Sequence, residues 1–206
     1  MDWTWAALAP ALTGAALVLT GRAPAAIALY HLLCAVRIFR HRRRVLPLLR
    51  WNRSAARWSV GATLLVVPFL LVAPFVVNPA PYKELFLRTV FATESPGVLF
   101  PFFAAYTLVI HAPLEEIFWR GAVTDPDRAG PPAILIGNAA LFGLLHAVPL
   151  GILLGLPGIL LGLPTAAAGA VWAWVTLRSG SLWPALLSHG VADALLLLGM
   201  WFFFVR

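Results

Sequence analysis

The chain has 206 residues, of which 61% are hydrophobic and only 11% charged, with a net charge of +7. A soluble domain carries about a quarter charged residues, so this chain cannot clothe itself in polar groups and needs lipid around it. A water-soluble fold is thereby excluded, and the basic excess has no aromatic-basic interleaving of the kind that would indicate nucleic acid.

Seven apolar segments can be marked in chain order, with six to eight the range that such boundaries permit. The expected fold is therefore all-α, a polytopic membrane bundle of about seven transmembrane helices. The first segment covers residues 3–20 and ends at Gly21-Arg22-Ala23-Pro24. It lacks the basic n-region of a signal peptide and is expected to stay as a spanning helix. The second, residues 25–39, is short for a span and runs into an arginine-rich stretch. Eight of the fifteen basic residues lie there, between Arg37 and Arg57. This stretch is expected to be a cytoplasmic loop touching anionic headgroups, which puts the N-terminus in the cytoplasm.

The third segment spans residues 58–77, and a mixed loop, 78–96, follows with a short interfacial helix expected around residues 83–91. The fourth, 97–123, includes Glu115, Glu116 and Arg120. A hydrophilic turn at 124–131 leads to the fifth, 132–148. Residues 149–164 alternate glycine, proline and leucine, which suggests a broken or re-entrant piece before the sixth segment, 165–177. The turn 178–181 precedes the seventh, 182–204. The nine tryptophans, Trp172, Trp174 and Trp183 among them, are expected to be interfacial anchors and lipid contacts. Cys34 alone can form neither an intrachain disulfide nor a thiolate metal cage.

Only eight residues are acidic, and Glu115, Glu116 and Asp193 fall within apolar segments, as do Arg120, His146 and His189. A charge at a helix centre costs about 2.5–3.5 kcal/mol on insertion scales, so such groups face the bundle interior and pair. Glu116 and Arg120 are four apart and share a helix face, so an ion pair is expected. Glu115 is rotated about 100° away and is left as the free carboxylate. His189 and Asp193 share a face in the same way, and Phe142 packs over the face of His146. His111, one turn before Glu115, is a supporting candidate, whereas His31 and His41 are expected to be ordinary packing and surface residues. Counted from the inner turns, Glu115, His189 and His146 lie about 13, 12 and 22 Å deep. His146 is thus about 10 Å too deep to meet the others unless its helix tilts or starts inside the membrane.

Glu115-Glu116-Ile117-Phe118-Trp119-Arg120 fits EExxxR, Phe142-Gly143-Leu144-Leu145-His146 fits FxxxH, and His189-Gly190-Val191-Ala192-Asp193 fits HxxxN/D. Together with Ser179-Gly180-Ser181-Leu182-Trp183-Pro184, these motifs resemble the CPBP family of intramembrane proteases. That family includes the type II CAAX prenyl endopeptidases and bacterial bacteriocin-processing and immunity proteins. The resemblance covers residues 97–206, a catalytic core, and leaves 1–96 as N-terminal spanning helices of one integrated membrane domain. It implies that Glu115 is the base activating a water, that His146 polarises that water, and that His189 and Asp193 stabilise the oxyanion. In the family's alternative account His146, His189 and Asp193 ligate a divalent metal such as zinc; otherwise no cofactor is implied. Glu116, Arg120 and Phe142 are implied to be structural supports.

Asp193 stands where many relatives have asparagine, and an ionised carboxylate cannot donate to an oxyanion. It therefore stays protonated, orients His189, or ligates a metal. The implied function is an intramembrane endopeptidase acting on a membrane-anchored or lipidated protein, in a bacterial cytoplasmic membrane. A non-enzymatic immunity or scaffold protein with a vestigial site, or an ion carrier, are the alternatives.

Overall fold

The computed structural model describes residues 2–76, 80–93, 96–127 and 129–205. Pro79, Glu94 and Arg128, parts of the expected loops, lie outside the described residues. The described residues form helices and no strand.

Helix α1 (Trp3–Thr20) stops at Gly21, whose positive φ of 63° lets its N–H reach back to the Leu17 carbonyl. Proline in the first turn starts α2 (Ala23–Arg40), where its missing N–H costs nothing. Short α3 (Arg42–Leu48) leads to α4 (Ala55–Val76), and α5 (Lys83–Phe91) follows. The next helical path is not uniform. It comprises α6 (Leu99–Tyr106), a π-helical turn (Thr107–His111), α7 (Ala112–Glu116) and a second π-helical turn (Ile117–Ala122). Three long helices complete the chain: α8 (Pro131–Leu154), α9 (Leu156–Ser179) and α10 (Trp183–Met200), the last continued by a π-helical turn, Trp201–Val205.

Five of these are long and apolar enough to cross a membrane: Trp3–Thr20, Ala23–Arg40, Pro131–Leu154, Leu156–Ser179 and Trp183–Phe203. The second segment is thus 18 residues rather than the expected fifteen. Within α4, the stretch Ala55–Phe69 forms a shorter apolar helix.

Two expectations are corrected. The arginine stretch is not a loop: Arg37 and Arg40 belong to the end of α2, and Arg42 to Arg44 open α3. Arg37 is buried, paired with Asp2 at 2.7 Å, so it is withdrawn from any headgroup surface. Nor is 149–164 a broken or re-entrant piece. It is the tip of a hairpin in which α8 runs on to Leu154, reverses at Gly155 (φ +67°) and returns directly as α9. The glycines there serve close packing. A Cβ added to Gly143 would meet the Ala166 Cβ at 2.7 Å, and one on Gly162 would meet the Ala147 Cβ at 2.6 Å. Small residues let two helix backbones approach closely, the usual device of helix pairs in lipid.

The ends of the helices sort into two groups. At one end Arg37 pairs with Asp2, Arg44 pairs with Asp125 at 2.8 Å, the Leu182 amide donates to the Leu48 carbonyl, and Asn52 donates to Ser179. At the other, Arg22 donates to the Arg88 carbonyl, and Phe100 packs between Phe91 and Trp201. The bundle therefore has two opposed faces, with the arginine cluster on one.

Candidate active site

Midway between those faces, α7, α8, α9, α10 and α2 enclose a polar cluster. The α7 segment has a π-helical turn on either side, and such turns re-aim the side chains next to them. Glu115 and Glu116 are both buried there, at 1% and 0% exposure.

Glu116 is tied to its neighbours through one oxygen, while its Oε2 is buried without a hydrogen-bond partner. One of its oxygens, Oε1, accepts from Arg120 Nη1 at 2.9 Å and from His189 Nδ1 at 2.8 Å. Arg120 also donates to the Gly169 carbonyl at 3.3 Å and lies over the rings of Phe142 and Trp172, at 4.5 and 5.3 Å. A guanidinium held by a carboxylate, a carbonyl and two aromatic faces is well compensated for its desolvation. The pair expected from the i,i+4 spacing thus exists, and Phe142 is part of it.

His189 is fixed on three sides. Its ring stacks on Trp172 at 4.2 Å with 17° between planes, and its Nδ1–H goes to Glu116. That leaves Nε2, which has Asp193 Oδ1 at 3.5 Å and Glu115 Oε2 at 3.8 Å. Both separations exceed a direct hydrogen bond, so a third group bonded to either must sit to the side of the pair. Glu115 Oε2 and Asp193 Oδ2 are buried with no hydrogen-bond partner.

His146 joins the same cluster. Its Nδ1 donates to the Phe142 carbonyl at 3.0 Å, which leaves the Nε2 lone pair available. Its ring packs on Phe142 at 4.6 Å, Phe142 also meets the His189 ring edge-on at 6.2 Å, and His146 is within electrostatic range of Glu115 and His189. The expected 10 Å mismatch is resolved by α8 itself. Asn138 donates to Thr124 Oγ1, so the residue of α8 level with the end of the preceding helical path is Asn138 rather than Pro131. From Asn138 to His146 is about 12 Å of helix, matching the other two depths. The first two turns of α8 lie beyond that level, and no sequence signal marks such an overhang.

Trp172 is a correction to the tryptophan expectation: it is 3% exposed and forms the platform under His189, with its Nε1–H on Ser188 at 3.1 Å. Trp119 is also buried and donates to the Tyr30 hydroxyl at 2.9 Å; that hydroxyl in turn interacts with Glu115. His111 sits beside Glu115, with Nε2 at 3.7 Å from Oε1. His31, expected to be an ordinary packing residue, is hydrogen-bonded to His111 at 2.9 Å. His41 does stay apart, in the turn between α2 and α3, where partial burial and the adjacent Arg37 and Arg44 hold its imidazole below the ordinary value.

Among the described residues no three His, Cys, Asp or Glu side chains are grouped so as to hold an ion. The Nδ1 atoms of His189 and His146 are given to Glu116 and to the Phe142 carbonyl, which leaves the two Nε2 atoms, with the Asp193 carboxylate 3.5 Å from that of His189, as the donors a metal would use.

Residues 97–195 match the family model described as Type II CAAX prenyl endopeptidase Rce1-like. No curated protein and no solved structure gives a significant match to the chain. The matched stretch runs from before α6 into α10 and contains Glu115, Glu116, Arg120, Phe142, His146, His189 and Asp193, the residues that the fold has drawn into one cluster. Over those residues the chain resembles the Rce1-like family of type II CAAX prenyl endopeptidases.

Proposed function

We propose that this protein is an intramembrane endopeptidase in which Glu115 activates a water to cleave a peptide bond of a membrane-anchored or lipidated protein. The observation that carries this reading is the buried, unpartnered Glu115 Oε2 facing His189 Nε2 across 3.8 Å. An acceptor oxygen without a donor, inside a bundle, is costly unless a reacting group uses it. A water bound beside the two groups gives one proton to Glu115 as its oxygen attacks the substrate carbonyl. His146 Nε2 accepts from the same water, and the Nε2 side of His189 faces the oxyanion that forms. Asp193 orients His189 from the next turn of α10. Glu115 then returns the proton to the leaving amine, which completes the hydrolysis. Glu116 and Arg120 hold His189 and take no proton.

The family description makes a prenylated C-terminal segment the first substrate to test. The bundle is proposed to cross the membrane seven times, with the N-terminus and arginine cluster on the cytoplasmic side against anionic headgroups. Purified protein in lipid nanodiscs is to be incubated with a farnesylated CAAX peptide, and the products identified by mass. Glu115→Gln is expected to lower the rate by about two to four orders of magnitude, the usual worth of a positioned base. A well-inserted Glu115→Gln protein cleaving at the parent rate would remove the proposal.

A further inference from the structure

Opposite His189, on the other side of Glu115, three polar side chains outside the family motifs form a chain. Tyr106 Oη lies 2.6 Å from His31 Nδ1, His31 Nε2 lies 2.9 Å from His111 Nδ1, and His111 Nε2 lies 3.7 Å from Glu115 Oε1. The two imidazoles stack obliquely at 5.1 Å, and Tyr30 meets both rings from one side. One proton arrangement satisfies every link. The tyrosine hydroxyl donates to His31, His31 donates through Nε2 to His111, and His111 turns its own Nε2–H toward Glu115. Each donor polarises the next, so the chain ends in a strengthened N–H directed at an anion.

We infer that Tyr106, His31 and His111 are positioning residues that direct an N–H at Glu115 Oε1 across 3.7 Å, an electrostatic contact longer than a hydrogen bond, and so favour the carboxylate orientation that aims Oε2 at the attacking water. The inference rests on the proposed role of Glu115 and, through His31, extends it to the part of the chain outside the family match. It accounts for an asymmetry in the carboxylate: Oε1 faces His111 Nε2, and Oε2 has no hydrogen-bond partner. A carboxylate free to rotate would present either oxygen, and misplacement of a base by a fraction of an ångström costs rate rather than affinity.

The test has two arms, both on the full chain in lipid. In the first, histidine ring nitrogens are read by ¹⁵N solid-state NMR. Tyr106→Phe is expected to move the His111 nitrogen signals from two hydrogen bonds away, and Glu115→Gln to move the His111 Nε2 signal. In the second, cleavage of the farnesylated CAAX peptide is followed. His31→Phe is expected to lower kcat about tenfold with KM within about twofold, and His31→Gln, which can both accept and donate, to recover part of the loss. Unmoved His111 signals in folded Tyr106→Phe overturn the inference, as does an unchanged kcat in folded His31→Phe. If Glu115→Gln cleaves like the parent, or the parent does not cleave the peptide, the protease reading fails. The spectra then decide on the chain by themselves.

Discussion

Arg120 and Glu116 illustrate how a charged pair survives inside an apolar bundle. Both are at or below 1% exposure, and each is the other's main counter-ion at 2.9 Å. Removing one partner of such a pair strands the other and costs about 3–5 kcal/mol. Arg120→Ala is therefore expected to lower the thermal midpoint in detergent markedly, and His189 should lose its orientation as Glu116 swings free. Glu115→Gln, by contrast, removes a carboxylate with an unpartnered oxygen, and its midpoint should stay close to the parent's. A thermal-shift comparison of the two variants separates the supporting acid from the reacting one. At this scale the sequence was informative where helical spacing alone determines who meets whom: 116 with 120, 142 with 146, 189 with 193. It was silent where the partner comes from a distant helix. Trp172 under His189 and His31 against His111 are separated by 16 or more residues, and an aromatic or a histidine in an apolar segment looks the same whether it faces lipid or a site.

Among the elements, the α8–α9 hairpin decides how closely the FxxxH helix approaches the rest. Gly143 and Gly162 sit where the two backbones touch, and a larger residue at either must push them apart. Gly143→Leu is expected to destabilise the protein by about 1–3 kcal/mol, the ordinary cost of overpacking, and to reduce cleavage further by displacing His146. Gly190, one residue after His189, has nothing within 4 Å of an added Cβ, so Gly190→Ala should leave the thermal midpoint close to the parent's. The glycine-proline alternation of residues 149–164 suggested a break because those residues interrupt helices in water. In lipid the same residues permit close packing, and proline is tolerated where neighbouring helices supply compensation. The bounds of α1 and α5 agree with the sequence reading; Gly21 marks the end of the first, whereas α5 stops at Ala92, whose positive φ of 58° no residue type announces.

Taken whole, the bundle has a polar tie at each end and a buried polar cluster between them. Labelling can check this arrangement in a Cys34→Ala background. Cysteines at Arg43 and Asp127 should react with a membrane-impermeant maleimide from one side of the membrane, and a cysteine at Glu84 from the other. Reaction of Arg43→Cys and Asp127→Cys from opposite sides would contradict the Arg44–Asp125 tie. The sequence located the family motifs in one half of the chain. The fold shows that half is not self-contained at the centre, because α2 brings Tyr30 and His31 against the surroundings of Glu115.

That placement of α2 bears on any attempt to divide the molecule. A polypeptide covering residues 97–206 would hold every family motif, yet its key acid would face acyl chains where α2 should lie. Expressed as two separate pieces, 1–96 and 97–206, the protein should regain peptide hydrolysis only when both reach the same bilayer. Complementation between the two pieces, scored against each alone, would reveal whether the first half is a partner in the chemistry or a mere anchor.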